Sequence, residues 1–139
     1  MTQDINNELI LAARLFLATL FLIFGWRKLK DYSGTVSQIA QLGAPMPRLA
    51  AVIATLMELP VAFAVAAGAF TRLSALLLAL YTLGTALIGH RFWTKTGADQ
   101  VDSMDGFFKN LSIIGGLLLL QVTGAGKYSI DAFCGIAAP

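Results

Sequence analysis

Apolar residues concentrate in four stretches of the chain, about residues 7–28, 48–70, 72–90 and 106–124. Each is long enough for a spanning helix, which needs roughly 20 predominantly apolar residues. Between the first two, residues 33–42 place Val36, Ile39, Ala40 and Leu42 on one helical face. That spacing predicts a short amphipathic helix lying in the membrane interface. Gly43-Ala44-Pro45-Met46-Pro47 then breaks the pattern and launches the second span. Gly68-Ala69-Phe70-Thr71-Arg72 reads as a tight hairpin between the second and third spans. Residues 94–105 carry Asp99, Asp102 and Asp105 and read as the longest loop. The pattern predicts an all-α polytopic membrane protein: a four-helix bundle with one interfacial helix, forming a single domain over residues 1–139.

Composition agrees and narrows the chemistry. Of 139 residues, 57% are hydrophobic and 13% charged, whereas soluble domains are about 25% charged. The lipid bilayer is the first partner implied. The N-terminal Thr2-Gln3-Asp4-Ile5-Asn6-Asn7-Glu8 is acidic and polar, and no small-residue cleavage site follows the first apolar run. The first span is therefore expected to stay as a helix rather than be removed as a signal peptide. One cysteine (Cys134) and one histidine (His90) leave no internal disulfide, no Cys-x-x-Cys pair and no His/Cys metal cluster. A bis-His haem within one chain is excluded as well. The net charge of +2 is too small to suggest nucleic acid.

The basic residues follow topology instead. Arg27, Lys28, Lys30, Arg48, Arg91, Lys95 and Lys109 fall on one side of the four spans, against Arg14, Arg72 and Lys127 toward the other. The positive-inside rule puts the first group in the cytoplasm, giving an N-out, C-out protein. Trp26, Phe92 and Trp93 stand where interfacial aromatic belts form.

Glu58 lies near the middle of the apolar residues 49–70. An acid at that depth costs about 2.5–3.5 kcal/mol on insertion scales, so it faces protein or a wet pocket rather than lipid. Stepping by three and four along the first span gives Arg14, Ala18, Phe21, Gly25 and Lys28. The second gives Ala51, Thr55, Glu58, Ala62 and Ala66, a small-residue face suited to close helix approach. The third offers Ser74, Leu78, Tyr81 and Thr85, and the fourth Asn110 and Gln121. Counting from the ends of the apolar runs, Arg14 is roughly 10–12 Å deep from one side and Glu58 roughly 15 Å from the other. The expectation is an Arg14–Glu58 pair, which either handles a ligand or protons or only holds helix register. Pro60 should free the carbonyl of Leu56 and kink the helix beside the acid. Lys28 either joins this group or snorkels to headgroups. His90 is an interfacial residue or a ligand donor, and Asn110 is interhelical glue or a pocket donor. Tyr81 reads as an ordinary packed aromatic, and Cys134 as an incidental small residue or a thiol that pairs with a partner.

Several stretches resemble the DoxX family of small bacterial inner-membrane proteins. They are Ala13-Arg14-Leu15-Phe16-Leu17 through Phe24-Gly25-Trp26-Arg27-Lys28-Leu29, and Leu42-Gly43-Ala44-Pro45-Met46-Pro47 leading to Glu58. They continue with Ala67-Gly68-Ala69-Phe70-Thr71-Arg72-Leu73-Ser74-Ala75, His90, Lys109-Asn110-Leu111 and Gly124-Ala125-Gly126-Lys127-Tyr128-Ser129-Ile130-Asp131. Pro60 departs from the pattern, where many relatives are richer in glycine. The resemblance implies a four-helix inner-membrane bundle. It also points toward quinone chemistry, because relatives include the membrane subunit of a thiosulfate:quinone oxidoreductase. A quinone head group needs donors to its carbonyls and a proton source in an apolar pocket. Arg14, Glu58, Lys28 and Asn110, with His90 near the helix end, are the candidate ligand-binding residues, and Glu58 and Arg14 the candidates for any catalysis. On this reading the chain carries no covalent cofactor and no metal, and its electrons come from a redox partner subunit. Two alternatives stand beside it. One is permeation of a small solute or protons by a homo-oligomer, and the other is an assembly module without chemistry.

Overall fold

The computed structural model describes residues 1–136 and is all-helical among them. Helix α1 spans Thr2–Lys30, α2 Tyr32–Gln41, α3 Pro47–Ala67, α4 Thr71–Gly89, α5 Gly97–Thr123 and the short α6 Ile130–Phe133. Four of these, α1, α3, α4 and α5, are long and apolar enough to cross a membrane. The long α4–α5 pair packs along its length, α3 lies against both α1 and α4, and α1 closes the ring against α5.

Local sequence explains where the helices start and stop. Pro47 opens α3 at its first turn, where the missing N–H is harmless. Gly68 closes α3 in the left-handed region at φ 72°, a conformation open to glycine without strain. In between, Pro60 has no N–H to donate and crowds the carbonyl four residues back. The helix answers by widening into a π turn over Met57–Val61. The expected kink is therefore realised as a π turn with Glu58 in it.

Two boundaries differ from the pattern reading. Residues 97–105 belong to α5 instead of a loop, preceded by a 3-10 turn at Phe92–Thr94. Asp99 stands in the first turn of α5, where a negative charge favours the helix dipole. These polar turns extend the helix beyond its apolar portion, so hydropathy alone misses them. The N-terminal residues do the same for α1, which begins at Thr2 rather than near residue 7. The interfacial helix α2 is present, with an Asp31 side chain that accepts from Gly34 N–H at its start.

The interior is small and partly polar while bulky apolar side chains point outward. Phe21, Ala62, Val65, Ala75, Leu78, Ala79, Leu117 and Leu120 form the core. Phe16, Phe63, Leu80 and Leu119 are exposed on the outside of the bundle. With lipid as apolar as leucine, close packing of small residues rather than hydrophobic burial holds such helices together. Gly25 shows how tight the contact is: a Cβ there would lie 2.8 Å from Glu58 Cβ and 2.9 Å from Leu59 Cγ.

Candidate functional site

The buried face of α1 is Arg14, Ala18, Phe21 and Gly25, the line the helical spacing picks out. Its two ends engage different partners. At the Gly25 level the π turn brings Glu58 inward until it is only 5% exposed. Lys28 Nζ, one turn further along α1, forms an ion pair and hydrogen bond with Glu58 Oε1. Tyr81 of α4 donates its hydroxyl to the same oxygen at 2.6 Å. Glu58 Oε2 is buried and has no hydrogen-bond partner among the described residues. Three helices thus deliver a carboxylate, an ammonium and a phenol to one point inside the bundle.

The expected Arg14–Glu58 pair does not form. Arg14, 1% exposed, donates through Nη1 to Ala125 O, and through Nη2 to Tyr128 O at 2.6 Å and Ala66 O at 3.3 Å. Gly68, at the end of α3, lies beside the Arg14 guanidinium, whereas Glu58 lies beside Gly25. Eleven residues of helix, roughly 16 Å at 1.5 Å per residue, separate the two levels. The depth count assumed that the apolar runs of α1 and α3 end at the same level, whereas Arg14 lies level with Gly68, at the very end of α3, and Glu58 lies midway along that helix. Asp131 completes the Arg14 end of the molecule. Its carboxylate accepts from Phe70 N–H at 2.7 Å and Thr71 N–H at 2.8 Å, capping the start of α4, and its own N–H donates to Gly68 O at 2.8 Å.

The remaining candidates lie beyond the Glu58 level, toward the α4–α5 turn. Asn110 Nδ2 donates to Thr85 Oγ1 at 3.4 Å, a long contact that links α5 to α4. The His90 ring sits on Gly106, where a Cβ would collide with it. With Lys95, Asp99, Asp102 and Ser103 it lines a shallow cavity of about 280 Å³. Lys95 Nζ donates to Ser103 Oγ at 2.7 Å, and Arg91 Nη2 ties this corner to Leu42 O at 2.6 Å. Phe92, Trp93, Phe107 and Phe108 cluster edge to face beside it. Cys134 is exposed and free. Among the described residues no group of His, Cys, Asp and Glu is placed to hold a metal ion.

Of the candidate residues, Glu58 and Lys28 come together; Arg14, Asn110 and His90 stand apart from them. Tyr81, read from the sequence as packing only, is a direct partner of the acid. The available signal was its place on the Ser74–Leu78–Tyr81–Thr85 line, which faces the bundle interior.

Residues 9–91 match the family model DoxX. The chain belongs to the DoxX family. It is 50% identical over 123 residues to inner membrane protein YphA of Escherichia coli (strain K12), covering 88% of each chain. Inner membrane protein YqjF of the same organism is 41% identical over 122 residues, again 88% of each chain. No solved structure matches. Within this DoxX-family chain the matched portion carries Arg14, Lys28, Glu58, Tyr81 and His90, while Asn110 and Asp131 lie beyond it.

Proposed function

We propose that this DoxX-family protein is an inner-membrane subunit that binds a quinone or similarly lipophilic, carbonyl-bearing head group at Lys28, Glu58 and Tyr81. Residues 1–139 form its single integral membrane domain. The observation that carries the reading is the Glu58 carboxylate: buried, with both donors on one oxygen and the other oxygen unpartnered among the described residues. A buried acceptor left open is expensive and is usually explained by a ligand, a proton or a water. Lys28 and Tyr81 are the donors a quinone carbonyl requires, the Lys28 ammonium is the proton source, and the open Glu58 oxygen accepts the hydroxyl of the reduced quinol form. The electrons come from a redox partner protein. The π turn at Met57–Val61 adds support, since such turns recur at functional sites.

The test uses full-length protein extracted in a mild detergent. Quinone should be recoverable from the wild type by solvent extraction, and a photoreactive quinone should label it near Lys28 and Tyr81. Both signals should fall about tenfold in Glu58→Gln, the loss of one charge-assisted contact. Equal quinone content and labelling in wild type and Glu58→Gln would sink the proposal and leave the cluster as a structural tie.

The names of both relatives support placement in the inner membrane, and the distribution of basic residues supports the N-out, C-out orientation. Alkaline phosphatase fused after residue 136 should be active, and a fluorescent protein fused there dark. The reverse pattern refutes the orientation.

A further inference from the structure

A second cavity, of about 440 Å³, opens at the Arg14 end of the bundle, between the start of α4 and the segment 123–136. Its size is within the range of small-ligand pockets. Thr71, Arg72, Gly124, Lys127 and Asp131 are on its lining. Thr71 is 1% exposed, and its hydroxyl has no hydrogen-bond partner among the described residues. Asp131 satisfies the N–H groups of Phe70 and Thr71; those of Arg72 and Leu73 have no acceptor among the described residues. The cavity therefore combines an idle buried hydroxyl with idle donors at the first turn of a 19-residue helix.

Two cations flank these donors. The Arg72 guanidinium lies over Gly124, with Nε 3.5 Å from the position a Cβ would take there, an ordinary contact distance. Lys127 Nζ reaches the exposed Asp4 only loosely, at 3.9 Å. Asp131 also lines the cavity and opposes an anion, but both its oxygens are engaged by backbone N–H groups. Thr71 opens α4 at the border of its candidate span, so the cavity lies at headgroup depth.

We propose that this cavity binds a phosphate-type anion through Arg72, Lys127, the Thr71 hydroxyl and the first turn of α4. The chemistry is that of a phosphodiester on an anionic phospholipid or of free phosphate. Neither Arg72 nor Lys127 is part of the Glu58 cluster, so this site stands or falls independently of the quinone reading.

Native mass spectrometry of the full-length protein, titrated with phosphatidylglycerol or with diacylglycerol of the same chains, tests it. Wild type should retain one phosphatidylglycerol in preference to diacylglycerol. Arg72→Ala/Lys127→Ala should weaken that retention by about tenfold or more, and Thr71→Val by a few-fold. The melting temperature of Arg72→Ala/Lys127→Ala should stay near wild type, because Arg72 and Lys127 are exposed. Inorganic phosphate separates the sources. If millimolar phosphate displaces the lipid from wild type, the site takes the free anion; if it does not, the site takes the headgroup. The proposal is overturned if phosphatidylglycerol is retained equally by wild type, Arg72→Ala/Lys127→Ala and Thr71→Val, or no better than diacylglycerol.

Discussion

Arg14 and Glu58 are both buried charges on facing helices, yet the protein treats them in opposite ways. Arg14 is held by main-chain carbonyls from two separate segments, Ala66 on α3 and Ala125 and Tyr128 after α5. Those acceptors belong to backbone that cannot rotate away. Glu58 is held by the ends of two side chains, Lys28 and Tyr81; each charge leaves one buried atom without a partner among the described residues, Glu58 Oε2 and Arg14 Nε, so the difference lies in what holds them. A charge locked to backbone specifies a shape. One held by rotatable side chains can exchange partners, and exchange is what binding or proton transfer requires.

The sharpest way to break this comparison is to remove the locked charge. Arg14→Leu leaves buried carbonyls without a donor and should destabilise the protein by about 3–5 kcal/mol, the upper end for single substitutions. Thermal or denaturant unfolding in detergent should register it, with early proteolysis after Thr123. A variant that unfolds like wild type would mean that the carbonyl cage holds nothing.

A smaller loss, about 1–3 kcal/mol, is expected from Gly25→Ala, because the new methyl group collides with Glu58 and overpacks the α1–α3 contact. Its diagnostic is spatial: cross-linking between cysteines placed on α1 and α3 at the Glu58 level should fall, while contacts at the Arg14 level persist. Equal loss at both levels would show that the two clusters are not independent.

That independence also explains what the sequence could reveal. Helical spacing identified the inward face of α1, because Arg14, Ala18, Phe21 and Gly25 share an angle around the axis. The four spans were legible because each holds an apolar run of bilayer length. Axial offset between helices was not legible. It depends on how far one helix slides past another, which contacts such as Arg14 with the carbonyls of Ala66, Ala125 and Tyr128 decide and hydropathy does not record. The Arg14–Glu58 pairing failed on that offset alone. Asp131 was visible only as part of a family-like stretch, since nothing local says that its carboxylate caps a helix sixty residues earlier.

The smallest effect should come from the exchangeable pair itself. Removing either Lys28 or Glu58 leaves a partner facing the interior, whereas Lys28→Met/Glu58→Gln removes both. The double variant should be more stable than the sum of the single losses by about 1 kcal/mol, read by the same unfolding measurement. Strict additivity would place Lys28 in the headgroups for most of the time and dissolve the cluster.

The Arg14 clamp has a consequence for biogenesis. Two of its acceptors come 111 and 114 residues later in the chain. When α1 enters the bilayer during synthesis, its guanidinium has no permanent partner. It gains one acceptor when α3 supplies Ala66 and the other two only when the residues after α5 arrive. The bundle can therefore gather helix by helix, but it latches only when the segment 125–131 has emerged from the ribosome. Quality control that recognises unpaired intramembrane charge would have Arg14 as its signal throughout that interval, and Tyr128 as the residue that ends it.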